Sequence, residues 1–151
     1  MDTAYVNHII DTVLVRAEQL ANIEGAEETA KLLRTFYRLL NYQRDGREWG
    51  LVRDEMLAVE DYCLLLRSCF GTRCSVQCTL SPDSFAMRKV LLDAVMDICP
   101  IDCIVHGRFA TEVGISIRAH EQDGALADVN GFVAGEDFSE SLQRSIRLLG
   151  G

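Results

Sequence analysis

Proline is nearly absent from this chain: only Pro82 and Pro100 occur in 151 residues. With the glycines scattered, that leaves no room for a disordered linker. Basic residues are also in deficit, 15 Lys and Arg against 23 Asp and Glu, for a net charge of −8. A nucleic-acid partner is not expected, because phosphates are met by clustered Lys and Arg. No apolar run approaches the ~20 residues that cross a bilayer. Asp2, His8 and Asp11 interrupt the N-terminal apolar positions, which excludes a signal peptide. The expectation is a soluble, cytoplasmic protein with no membrane partner. The six cysteines contain no C-x-x-C pair.

What remains is an ordinary globular composition, 48% hydrophobic and 25% charged, enough for one domain or two small ones. Val6, Ile10, Val13, Ala17 and Leu20 recur at spacings of four and three, a coiled-coil seam. Ala26, Ala30, Leu33, Tyr37 and Leu40 repeat the pattern. Asn22 and Gly25 supply a turn between them, and Glu27 and Glu28 suit the positive end of a second helix. Two such helices form an antiparallel hairpin, residues 1–45. Its seams would be buried by a second hairpin in a homodimeric four-helix bundle.

Residues 46–151 read as an α/β layer, so the fold class is α+β. Asp45-Gly46 and Gly50 mark a loop. A third helix runs from about Leu51 to Cys69. Cys74, Val76, Cys78 and Leu80 then alternate with polar residues, as in a strand. Residues 81–84 make a turn. The apolar pattern predicts a helix over 85–105, stressed at Pro100 and ended by His106-Gly107. Strands are expected at 113–117 and 125–129, with a turn at 122–124. A last helix is expected over 139–149, with Leu142, Ile146 and Leu149 on one stripe.

The stretch from Glu24 to Gly71 carries a helical run to Tyr42. It then carries Leu51-Val52-Arg53-Asp54-Glu55, Val59-Glu60-Asp61-Tyr62 and Phe70-Gly71. This resembles the dimerisation core of LytS-type sensor histidine kinases. The resemblance implies the dimeric bundle, followed by a GHKL-type ATP-binding layer. It also implies a phospho-accepting histidine on the first helix, and counting back from Gly25 places His8 there. His8 lies off the apolar seam, and Asp11, three residues on, is the candidate orienting carboxylate. Arg16 is a candidate phosphate or partner contact.

The family's ATP site reads as dismantled. Counted back from His106-Gly107, Ile101 takes the place of the glutamate base, and Asp102 that of the Mg²⁺-holding asparagine. The adenine-reading box survives only as Asp128 with Gly131 and Gly135 at altered spacing. No room remains for a lid, and residues 141–151 resemble the family's post-lid helix. Asp102 and Asp128 are weak cofactor-binding remnants, and no cofactor or metal is expected.

The first expectation is a kinase-like docking or regulatory module in bacterial two-component signalling, partnered by a receiver domain or an intact histidine kinase. The alternatives are phosphotransfer through His8 without ATP, residual nucleotide binding, and a metal or redox module on the cysteines. Cys74/Cys78 would share a strand face and Cys99/Cys103 a helix face. Against the metal reading stands the plainer one of buried, reduced thiols.

Overall fold

A computed structural model describes residues 2–79, 86–88, 90–119 and 126–147. The expected turns at 81–84 and 122–124, and His120, lie outside them. The chain divides into two compact units, Met1–Asp45 and Gly46–Gly151, and its class is α+β.

The first unit is a helical hairpin of α1 (Thr3–Ile23) and α2 (Glu27–Arg44). Asp2 caps α1 by accepting from the Ala4 amide at 3.2 Å. Glu27 and Glu28 occupy the first turn of α2, where the exposed N–H groups favour negative charge. Two ion pairs, Asp11 with Arg44 and Glu18 with Arg34, set the helices antiparallel.

The second unit opens with β1 (Trp49–Leu51), a strand inside the segment expected to be a loop. There follow α3 (Val52–Phe70), β2 (Arg73–Cys78) and β3 (Ala86–Arg88), which pairs antiparallel with β1. Next come α4 (Leu91–Ile98) and the two-residue strands β4 (Ile104–Val105) and β5 (Arg108–Phe109). The chain continues through β6 (Glu112–Ala119), β7 (Leu126–Ala134) and β8 (Ser139–Arg147). The main sheet has the order β2-β6-β7-β8, parallel between β2 and β6 and antiparallel elsewhere. Its core face carries Val113, Ile115, Ile117, Val129 and Val133, which are buried along with Val59, Tyr62 and Leu66 of α3 and Leu91, Val95 and Ile98 of α4.

Three expectations are corrected. The helix over 85–105 is only the eight residues of α4. Cys99 ends it in an extended conformation, φ −136° and ψ 104°, as suits a residue before proline. Pro100 therefore lies beyond the helix and stresses nothing. His106-Gly107 does not close a helix either. It is the turn of the β4–β5 hairpin, with φ of 51° and 77°, the paired positive values of a two-residue hairpin turn. The expected last helix is the strand β8.

Strand β7 runs five residues past its expected end. Gly131 makes this possible, because a Cβ there would sit 2.6 Å from Cγ2 of Ile98. Glycine lets α4 cross the sheet at close range.

Candidate functional site

Three faces of α1 have different surroundings. Asn7, Asp11, Leu14, Glu18 and Ala21, spaced four and three, are the half-buried or buried line turned towards α2. Its two acids are matched in cis. Arg44 Nη2 donates to Asp11 Oδ1 at 2.5 Å, and Arg34 Nε donates to Glu18 Oε1 at 2.8 Å. The seam expected from sequence is a different line. Val6 and Ala17 are half-buried at its margin, but Ile10, Val13 and Leu20 are 37%, 59% and 42% exposed. Tyr5, Ile9 and Ile23 of α1 and Phe36 of α2 are also exposed.

The third face carries His8, Thr12, Val15, Arg16 and Gln19, all exposed. With Asp11 they line a shallow groove of about 440 Å³. Thr12 Oγ1 donates to the His8 carbonyl at 2.8 Å, and Arg16 reaches Gln19 Oε1 at 3.4 Å. Asp11 shares the groove with His8, but one of its oxygens is committed to Arg44. Arg44 also donates to Asn41 Oδ1 at 3.0 Å, so the Asp11–Arg44 pair is anchored on α2. An exposed imidazole can present a free nitrogen to an electrophile, and Arg16 puts a cation on the same face.

The proposed nucleotide remnants do not converge. Ile101 and Asp102 follow α4 rather than ride on it, so the count back from His106-Gly107 loses its helical frame. Asp102 Oδ1 accepts from the Ile104 amide at 3.1 Å, a local turn contact. Asp128 sits on β7 in alternation with Val129 and Gly131, which face α4. Its carboxylate therefore lies on the opposite face of the sheet, where it accepts from Ser145 Oγ at 2.8 Å. On that face a shallow trough of about 540 Å³ runs between Ser75, Ser116, Asn130, Phe132 and Gln143. Among the described residues no charged side chain lines it, so these offer phosphate no counter-charge. The likeness of residues 141–151 to a post-lid helix also fails, since Ser139–Arg147 is β8.

The cysteines are free thiols; Cys63, Cys74, Cys99 and Cys103 are buried and Cys69 is exposed. Cys99 and Cys103 do not share a helix: Cys99 caps α4 and Cys103 adopts φ 59°. The Tyr62 hydroxyl, buried among them, donates to the Cys99 carbonyl at 2.6 Å. Burial pushes the Tyr62 phenol upward. It also raises the Cys99 thiol from 9.0 to about 12, with Cys103 adding to it. Cys63 is raised by its hydrogen bond to Cys74 and by burial. Thiols raised in this way are poor nucleophiles; the same hydrogen bond, from Cys63, lowers the Cys74 thiol. Among the described residues, no three His, Cys, Asp or Glu side chains are grouped to hold a metal ion.

Sequence reasoning missed Glu55. It is fully buried, and its Oε1 accepts from the Leu91 amide at 3.2 Å, capping α4 from α3. A carboxylate inside an otherwise apolar helical stripe was the available signal.

No family model and no curated protein matches this chain. Among the described residues, no helix is long and apolar enough to cross a membrane.

Proposed function

We propose that this protein is a histidine-kinase-like module of two-component signalling that works without ATP. Its helical hairpin docks a receiver domain, and His8 is the point of phosphoryl exchange. The observation that carries this reading is the division of α1 into three faces. A polar seam is satisfied within the hairpin, an apolar seam is left uncovered, and an exposed histidine stands on a third, polar face.

The uncovered seam is the dimer interface. Burying it against a second hairpin gains roughly 25 cal/mol per Å² of apolar surface and completes a four-helix bundle. His8 projects away from that seam, so dimerisation leaves it open to a partner. The α/β unit is a reduced GHKL-type layer. The separation of Asp102 from Asp128, and a strand where the family has its post-lid helix, argue against ATP use.

In the exchange, an imidazole nitrogen of His8 attacks the phosphorus of an aspartyl phosphate on the receiver. A P–N bond forms, the P–O bond breaks, the aspartate leaves as carboxylate, and the imidazole proton passes to water. Arg16, about two turns further along α1, is the proposed phosphate or partner contact.

The test is incubation with a radiolabelled phospho-receiver in the absence of nucleotide. Label is expected on the chain, acid-labile and mapped to His8, and absent from His8→Ala. Transfer that survives His8→Ala removes the site assignment. Receiver binding without any transfer leaves the docking function alone.

A further inference from the structure

Among the described residues, strand β8 lies at the edge of the main sheet and pairs with β7 along all nine of its residues, on one side only. It contains no proline, and its register with β7 is unbroken. Edge strands this long and regular are ordinarily blunted, because their outer N–H and C=O groups accept another strand. The side chains of β8 indicate which strand fits.

Leu142 stands opposite Gly131, Glu140 opposite Val133 and Arg144 opposite Val129. Gly131 faces Ile98 of α4, so Glu140, Leu142 and Arg144 share the helix-covered side of the sheet. Ser141, Gln143 and Ser145 take the open side. Charges pointing inward on an edge strand usually forbid pairing. Here they have opposite signs and lie symmetrically about one leucine.

We propose that β8 is a second self-association surface, where β8 of another copy adds antiparallel about a two-fold axis at Leu142. In that register Leu142 meets its counterpart, and Glu140 of each copy faces Arg144 of the other. On the open side Ser141 faces Gln143 and Ser139 faces Ser145. Opposite charges directly across a strand pair stabilise it, and like charges destabilise it. Neighbouring registers fail that criterion. A two-fold at Arg144 sets two guanidiniums face to face. One at Gln143 sets Arg144 against Leu142 and Glu140 against Ile146. One at Ser141 sets Leu142 against Glu140. His106, on the β4–β5 turn, has Nε2 3.2 Å from Glu140 Oε2 and holds that carboxylate at the edge. An ionised carboxylate retains acceptor capacity for an arginine as well.

The surface is separate from the helical seam, and the two are tested independently by light scattering at micromolar concentration. In a Val13→Glu chain, which lacks the helical interface, a dimer is expected. Adding Arg144→Glu should weaken it by roughly tenfold or more, since both cross-strand pairs become like-charged. Adding Glu140→Arg as well should restore it, with unchanged circular dichroism throughout. A monomeric Val13→Glu chain overturns the β8 proposal and leaves the helical interface standing. So does a charge exchange that fails to restore the dimer. If the helical reading is the one at fault, Val13→Glu changes nothing and Arg144→Glu alone yields monomer.

Discussion

At the scale of residues, Asp11 of α1 is paired with Arg44 of α2, and His8, on the adjoining face, is exposed. His8 and Asp11 are legible as a polar pair one helical turn apart. That Asp11 is held by Arg44, 33 positions away, is a tertiary fact without a local signature. The thiols show the same limit. Their number is plain, but the contact between the Tyr62 hydroxyl and the Cys99 carbonyl, 37 positions apart, is again tertiary. This burial has a consequence for stability. Tyr62 and Cys99 are held neutral in the fold, with Cys99 raised to about 12. In the unfolded chain the thiols ionise near their ordinary 9.0. Above that pH only the unfolded state loses these protons, so it is favoured. Stability is expected to hold level to about pH 8 and to fall steadily beyond 9. Urea denaturation at a series of alkaline pH values measures it. A level curve to pH 10.5 would contradict the neutral, buried state of these groups.

At the scale of elements, α1, α2, α3, β2 and β6 follow from periodicity, and β8 and the segment around α4 are among those that do not. Leu142 and Ile146 are four apart, a spacing that lies on one face of a helix and equally on one face of a strand. The alternating Ser139, Ser141 and Ser145 fit the strand, and pairing with β7 decides it. The segment around α4 misled because apolar residues continue to Val105. Pro100 nevertheless forces Cys99 out of the helix, and Cys103 belongs to the core by another route. The crossing of α4 over β7 rests on Gly131. Gly131→Ala is expected to cost about 1–3 kcal/mol, because the methyl collides with Ile98. Combining it with Ile98→Ala should cost less than the sum of the two single changes, since the residues share one space. Additive losses by denaturant titration would contradict the close crossing.

At the scale of the molecule, the hairpin sorts its surfaces by chemistry. Its charged seam closes within the chain, and its apolar seam is exposed, to be covered by a second copy under the proposed function. Under the same proposal the exposed face bearing His8 meets the receiver domain. Sequence periodicity picked out the apolar line of α1, which is largely exposed, but not the line that packs on α2. The seven-residue line Asn7, Leu14, Ala21 was hidden because its intervening positions, Asp11 and Glu18, are charged. Only Arg34 and Arg44, brought alongside by the turn, make those positions compatible with burial. The measurement that tests this sorting most directly is site-specific photocrosslinking in the full chain. A photoreactive phenylalanine is placed at Val13, Leu14 or Gln19 in turn. From Val13 the account predicts a crosslinked dimer joined to α1 or α2 of the second copy. From Leu14 it predicts a crosslink to α2 of the same chain, and from Gln19 no crosslink between copies. A monomer-only product from Val13, or efficient dimer capture from Gln19, would contradict it.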